Sequence, residues 1–356
     1  MATGFGILGA GMISGLHAAA LRNSRKAALV AVCDLVEKRA AKLAQDYAPK
    51  AKVFTRLDDM LAEPNVEVVN IVTPNHLHTE AVLSAFGAGK HVLLEKPPAM
   101  SLADTDRMIV AGRRAGRKFG VFVQCRMREP IRQIKRAIDQ GRFGRLLHAD
   151  VIMKWYRTPE YYQTDPWRSD RRSGAGVTIQ HAFHYIDLLR YLIGPATAVQ
   201  ARMSNLAHPA VKIEDTLDAL IHFENNVLGS VTASTALWPG EDVRVEIYGE
   251  RGAAVMKGAA LSLWQFQEAR PEDEAIRQVG DAGQPTAQSD PTALPSGEHQ
   301  AVIDDCVDAI HENREVAIPC PSVRPTLEIA LAMYKSDKRR AQPVYLPLED
   351  EHDVWD

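Results

Sequence analysis

The stretch HVLLEKPPAMS, residues 91–101, carries a run of aliphatic side chains into two charges, Glu95 and Lys96, and then closes on Pro97 and Pro98. Val92, Leu93 and Leu94 read as a buried strand. A proline fixes its own φ and has no N–H to donate, so the chain direction after Lys96 is set. The ammonium is therefore held, and a held cation stabilises an alkoxide developing beside it. The plain alternative is a surface lysine paired with Glu95. A second group lies in GVTIQHAFHYIDLLRYLIG, residues 176–194, where Gln180, His184 and Asp187 fall at i, i+4 and i+7 on one helical face. An imidazole titrating near neutrality suits His184 to take a hydroxyl proton. A core histidine on an amphipathic helix would show the same spacing.

The elements around Lys96 give it a setting. Apolar runs at 4–11, 28–35, 66–74, 91–97 and 119–126 alternate with helical patterns such as 36–47 and 78–89. Strands apolar on both faces and separated by helices imply a parallel sheet covered on both sides, a doubly wound nucleotide-binding half. In GILGAGMISG, residues 6–15, Gly9 permits the tight turn and Gly11 a close backbone approach to a pyrophosphate, with Met12 and Ile13 leading into the helix that receives its charge. The third small position is Ser14, an imperfect match to the glycine fingerprint. Asp34 ends the second strand 25 residues after Gly9, where an acid accepts bonds from the adenosine ribose and repels a 2′-phosphate. A helix N-cap is its other reading. NAD is therefore preferred, with NADP left open because Arg39 offsets part of the acid's field. The fourth strand runs into Thr73, Asn75 and His78, which would face the nicotinamide ribose; Asn75 could equally cap the following helix. Glu95 and Lys96 end the fifth strand, and Gln124 and Arg126 the sixth, at the same edge. The spacing of His76 and His78 is not that of a helical metal pair, and no metal is expected.

After residue 127 the texture changes. A helix at 129–141 precedes strand-like runs at 146–156, 197–206, 215–224, 226–237, 242–250 and 252–258, several of them alternating and joined by short turns. They predict an α+β domain with one large, open, mainly antiparallel sheet, one face of which is solvated or partnered. An apolar partnered face would make the chain a homodimer or homotetramer. The segment 268–299 is polar, aperiodic and rich in Pro and Gly and reads as a long loop, before helical spacing returns at 300–313. The domains are thus 1–125, binding the nucleotide, and 126–356, binding substrate and assembling, with the last helices packing back on the first. Tyr156, Arg157, Trp167 and Arg168, in the aromatic and basic stretch 154–176, are candidates for a sugar pocket or for a loop packed over the helix.

GILGAGMISGLHA, TPNHLHTEAVLSAFGAGKHVLLEKP, GAGVTIQHAFHYIDLL and the ending YKSDKRRAQPVYLPL resemble the glucose-fructose oxidoreductase/inositol dehydrogenase (Gfo/Idh/MocA) family over nearly the whole chain. The resemblance implies an NAD(P)-dependent oxidoreductase acting on cyclic polyols, sugars or sugar derivatives. Lys96 would contact both substrate and cofactor, and His184 would accept the proton as hydride leaves. One position departs: inositol dehydrogenase-like members carry aspartate four residues before the histidine, where this chain has Gln180. A neutral amide orients the ring or holds a substrate hydroxyl but does not stabilise an imidazolium. Amides there occur in family branches that oxidise the 3-hydroxyl of sugars or sugar nucleotides. An NAD-recycling glycoside cleavage beginning with C3 oxidation and a non-catalytic regulator on the same fold are the alternatives.

The totals agree with a globular protein: 356 residues, 46% hydrophobic, 24% charged, net charge −3. That balance supplies no basic field for nucleic acid and no cluster for a membrane surface. Cys33, Cys125, Cys306 and Cys320 form no Cys-x-x-Cys pair and read as buried thiols of a reducing compartment. With no basic leader before an apolar run at the start of the sequence, the expected location is cytoplasmic.

Overall fold

The computed structural model describes residues 2–174, 176–280, 295–352 and 354–355. The chain divides into two compact units, Met1–Gln124 with Leu294–Arg324, and Cys125–Ala293 with Pro325–Asp356.

The first unit is built on strands β1 (Thr3–Leu8), β2 (Ala27–Cys33), β3 (Lys52–Phe54), β4 (Val68–Ile71), β5 (His91–Glu95) and β6 (Phe119–Phe122), in the order β3-β2-β1-β4-β5-β6. Every pairing is parallel. Helices α1 (Ser14–Asn23), α2 (Glu37–Tyr47), α3 (Leu57–Leu61), α4 (His78–Gly87) and α5 (Leu102–Ala115) form the connections. The strands form because their side chains are buried on both faces: β1, β4 and β6 are buried throughout and β5 from Val92 onward. Strand order reverses between β1 and β4, so the chain leaving β1, β4, β5 and β6 gathers at one sheet edge, the place where open α/β sheets bind ligands. The three-residue β3 escapes sequence reading because it is an edge strand with no buried residue.

The second unit opens with α6 (Glu129–Asp139) and holds an eight-stranded sheet. Its strands are β7 (Leu146–Lys154), β8 (Ala196–Ser204), β9 (Thr216–Phe223), β10 (Leu228–Ser234), β11 (Arg244–Gly249), β12 (Gly252–Lys257), β13 (Ala260–Phe266) and β14 (Val344–Tyr345). They run β13-β12-β11-β7-β10-β9-β8-β14, antiparallel except where β10 lies parallel to β7. Helices α7 (Pro159–Gln163) and α8 (Phe183–Ile193) follow β7, and α8 packs on it. Alternation sets the faces: Leu217, Ala219, Ile221 and Phe223 of β9 are buried, while Asp218, Leu220 and His222 are exposed.

The outward face corrects one expectation. Its cross-strand rows run Glu246–Asp150–Ser230–Leu220 and Tyr248–His148–Leu228–His222, so Leu220 and Leu228 are apolar islands among charged and polar neighbours. An apolar partnered face is not what this sheet presents. The segment read as a loop also holds more order than expected. β13 precedes it, and α9 (Asp273–Arg277) lies within it, pinned where Asp273 accepts both Arg142 Nη atoms at 2.7 and 2.9 Å and the Trp264 indole at 2.8 Å. The remainder of that loop, 281–294, lies outside the described residues.

Helix α10 (Gly297–His311) returns to the first unit, where it packs along α1: Ser24 Oγ donates to Asp304 at 2.5 Å and Lys26 Nζ to Asp308 at 2.7 Å. Helix α11 (Cys320–Lys338) contains the division, just before Pro325. All four cysteines are free and buried, as the sequence implied. Among the described residues, no helix is long and apolar enough to cross a membrane.

Candidate active site

The turn between β1 and α1 is shaped by the chain itself. Gly9 has φ +97°, and a Cβ there would lie 2.6 Å from the Val72 carbonyl oxygen, so only glycine fits. Gly11 differs: a Cβ there would meet no heavy atom within 4 Å. The fold has no need of glycine at position 11, whereas a ligand approaching the backbone does. Ser14 is buried and donates to the Gly11 carbonyl at 2.6 Å, so the residue that breaks the fingerprint closes the turn. Ile13 is the α1 N-cap without a side-chain capping bond, and no acid lies in the first turn, which leaves that end suited to an anion. Met12 is exposed beside it. The two glycines should therefore separate on substitution. Gly9→Ala is expected to lower the thermal midpoint and abolish nucleotide binding. Gly11→Ala is expected to keep the midpoint within a degree or so while weakening NADH at least about tenfold, measured by melting and fluorescence titration.

Asp34 is not the cap of α2, whose N-cap is Val36; its carboxylate binds backbone on either side of the strand end. Its Oδ1 accepts the Val36 N–H at 2.8 Å, at the start of α2, and its Oδ2 accepts the Ala10 N–H at 2.7 Å, tying the glycine turn to β2. Each oxygen keeps a second lone pair for a ribose hydroxyl. Leu35, 88% exposed, and the exposed Val36 follow it, an apolar surface beside the acid that pattern reading passed over. Arg39 is exposed on α2.

The end of β4 requires corrections. His78 has no exposed surface, and its Nδ1 and Nε2 lie 2.9 Å from the Pro97 carbonyl and 3.0 Å from the Thr73 carbonyl. It therefore braces the chain leaving β4 against the chain leaving β5 instead of facing a ribose. Burial lowers its pKa, opposed by those two carbonyls and by Glu95. Asn75 is buried in a single 3₁₀ turn, Asn75–Leu77; the N-cap of α4 is Leu77, so Asn75 is not that helix's cap. Thr73 Oγ1 and Gln124 Oε1, at the ends of β4 and β6, are buried without a hydrogen-bond partner among the described residues. Orphaned polar atoms at this edge, with the open space over Gly11, fit a dinucleotide.

Lys96 is half-buried at the end of β5, followed by a cis peptide to Pro97. Glu95 is buried and curls back: its Oε2 accepts the Lys96 N–H at 3.2 Å, and its Oε1 lies 2.9 Å from His17 Nε2. It is a support for the turn, not a surface partner for the ammonium or an evident contact for a cofactor. Ser101 caps α5 by accepting the Asp104 N–H at 3.1 Å, which fixes the chain's exit from the proline turn.

In the second unit the helix bearing His184 does not begin as an α-helix. Residues Thr178–Ala182 form a π-helical turn that passes into α8. Such turns are rare and recur at functional sites. Its start is pinned by buried Glu214, which accepts the Thr178 N–H at 3.1 Å and the Tyr334 hydroxyl at 2.6 Å. Burial raises both of those groups' pKa values. Gln180, within the turn, donates Nε2 to the Arg168 carbonyl at 2.8 Å, and His184, next to the turn, is half-buried. Asp187 leaves this group: wholly buried, it accepts Arg126 Nε and Nη2 at 2.7 and 2.6 Å and the Thr326 hydroxyl at 2.8 Å. Arg126, expected at the cofactor edge, is thereby committed to anchoring α8, a bidentate pair of the strong kind.

The aromatic and basic stretch forms a wall. Arg168 lies over the Trp167 and Tyr161 rings at 4.7 and 5.0 Å and donates to the Tyr161 hydroxyl at 3.0 Å. Arg157 is buried, 5.0 Å over the Trp155 ring, with its Nη1 on the Tyr156 carbonyl at 2.8 Å. It braces the wall from behind; Tyr156, Trp167 and Arg168 are half-buried. Trp155, Tyr161 and His181 complete it and were not singled out, since only the fold shows their rings meeting at 5.8 to 6.0 Å.

Comparison with known proteins places this arrangement. Residues 3–123 match the profile of the oxidoreductase family with an NAD-binding Rossmann fold, and 131–255 that of the GFO/IDH/MocA C-terminal domain. A 1,5-anhydro-D-fructose reductase of Ensifer adhaerens is 32% identical over 207 residues, 57% of this chain and 61% of the relative, so the chain spans about three fifths of its length. An inositol 2-dehydrogenase of Saccharopolyspora erythraea is 32% identical over 307 residues, 84% of this chain and 87% of the relative. The WlbA dehydrogenase of Bordetella pertussis, solved with NADH and UDP-GlcNAcA, superposes with a TM-score of 0.85 at 29% identity, covering 98% of this chain and 100% of that one. The chain belongs to the Gfo/Idh/MocA oxidoreductase family.

Proposed function

We propose that this protein is an NAD(P)-dependent dehydrogenase that oxidises a secondary hydroxyl of a sugar, sugar derivative or cyclitol. What carries the reading is Lys96, tethered at the end of β5 on the same sheet edge as the glycine turn and the orphaned Thr73 and Gln124 atoms. A bound nicotinamide supplies the hydride acceptor. Gly11 and the α1 N-terminus hold its pyrophosphate, and Asp34 its adenosine ribose. Lys96 donates to the carbinol oxygen and stabilises its developing charge, and His184 takes the hydroxyl proton. Gln180 holds a neighbouring hydroxyl, and Trp167 and Arg168 receive the sugar's faces and edges.

NAD is the preferred cofactor on this reading, because the Asp34 carboxylate would face a 2′-phosphate as a like charge. Asp34→Ser, which keeps a short acceptor for the Val36 N–H, is expected to shift the NADP/NAD ratio of kcat/KM upward by about 10- to 100-fold. An unchanged ratio removes Asp34 from the ribose site.

The finer substrate reading is the 3-hydroxyl of a sugar or sugar nucleotide. Gln180 supports it, as does the solution of the Bordetella WlbA dehydrogenase and its Chromobacterium counterpart with UDP-GlcNAcA. The test is a panel of inositols, aldoses, glycosides, sugar acids and sugar nucleotides, each with NAD and NADP, followed by nicotinamide absorbance. Sugar-nucleotide oxidation without activity on inositols supports it; the reverse pattern removes it. Glycoside cleavage without net NADH release would identify cofactor recycling instead.

A further inference from the structure

We propose that His17 is a positioning residue for Lys96, acting through the carboxylate of Glu95. The inference rests on Lys96 being the group that meets the reacting hydroxyl. His17 lies on α1 with no exposed surface, its Nε2 2.9 Å from Glu95 Oε1. The other carboxylate oxygen accepts the Lys96 backbone N–H at 3.2 Å. One carboxylate therefore joins the helix that receives the pyrophosphate to the amide of the lysine. The link is enclosed: the Phe122 ring stands edge-on to His17 at 4.4 Å, and His299 on α10 lies 5.0 Å from His17.

The direction of the bond follows from what surrounds the rings. The Nδ1 atoms of His17 and His299 are both buried without a partner among the described residues. A proton on Nδ1 of His17 would be an unmatched buried donor, so the proton belongs on Nε2, where it is donated to Glu95. The same argument tells against a metal ion, although His17, Glu95 and His299 present ligand atoms within 4.8 Å of one another. Metal held by the Nε2 atoms would move each proton to an Nδ1 with nothing to accept it, and ligating histidines have such an acceptor.

Charge completes the case. The groups facing Glu95 are His17 on α1, His299 on α10, His78 at the start of α4 and Lys96 next in the chain. Burial would push the carboxyl up, but the His17 hydrogen bond and the neighbouring Lys96 ammonium oppose it and hold the group below its ordinary 4.5. His299 is itself pushed down to about 3 by burial and by His17, against the pull of Glu95. Glu95 is then an acceptor for the Lys96 amide at every pH where the protein works. Without His17, burial is opposed by less, and the carboxyl rises from its parent value.

The experiment uses the full chain with His17→Phe, which removes the donor and keeps a ring, and His17→Gln, which restores a donor. His17→Phe is expected to lower kcat on the order of 10²-fold with NADH affinity within a few-fold, and His17→Gln to recover most of the loss. Two readouts need no turnover. In the parent, Glu95 stability is present above 4.5 and lost as pH falls toward 2, so its melting point gains nothing from Glu95 between pH 7 and 5. In His17→Phe that contribution is smaller, so the variant's melting deficit against the parent should narrow as pH falls below 4.5 toward 2. Nitrogen-15 NMR of histidine-labelled parent protein should show His17 protonated on Nε2. An Nδ1-protonated His17, or a His17→Phe melting deficit that does not change with pH, overturns the proposal. Full turnover in Lys96→Met would strike the functional reading instead and leave both of these results standing.

Discussion

Lys96→Met is expected to lower kcat/KM about 10²- to 10³-fold while the dissociation constant for NADH stays within a few-fold of the parent's. Methionine keeps an unbranched stem of similar length, so the packing of the half-buried side chain survives and only the cation is lost. The loss should fall on kcat because charge on the substrate oxygen grows as hydride departs, so the ammonium is worth most in the transition state. Steady-state rates and fluorescence titration of NADH separate the two effects. A fall confined to KM would make Lys96 a binding residue, and no fall would remove it from the chemistry.

His184→Asn is expected to lower kcat about 10²- to 10⁴-fold at neutral pH, the usual worth of a positioned proton acceptor. Part of the loss should return as pH rises, because solvent hydroxide replaces the missing base. Asparagine keeps a polar group of lesser volume beside the π turn, so the anchoring of α8 by Asp187, Arg126 and Thr326 is untouched. If the two residues serve one transition state, the Lys96→Met/His184→Asn double variant should be little worse than the poorer single variant. A pH profile for His184→Asn that parallels the parent's would show that the imidazole is not the base.

The doubly wound half was legible because its strands are buried on both faces and its signals are local: Gly9, Asp34 and the Glu95–Lys96–Pro97 turn each sit at a strand end whose place the topology dictates. Pattern failed where a side chain's partner comes from elsewhere in the chain. His78 carries the composition of a ligand contact, but the carbonyls of Thr73 and Pro97 absorb both its nitrogens. Asp187 shares a nominal helical face with His184, yet Arg126 and Thr326, 61 and 139 residues away, claim it. His17 went unread because nothing local marks a histidine on α1 as the partner of a carboxylate 78 residues on. The π turn was also invisible, since heptad-like spacing assumes 3.6 residues per turn. The alternation in the sheet strands was read correctly, whereas the polarity of the outward face depends on cross-strand rows that one strand does not display.

A crystal structure with NADH and the best substrate of the panel tests the central claim most directly. The expected result is one substrate hydroxyl within about 3 Å of both Lys96 Nζ and a ring nitrogen of His184, with its carbon over the nicotinamide. A bound substrate whose reacting hydroxyl meets neither side chain, or only one of them, would contradict it.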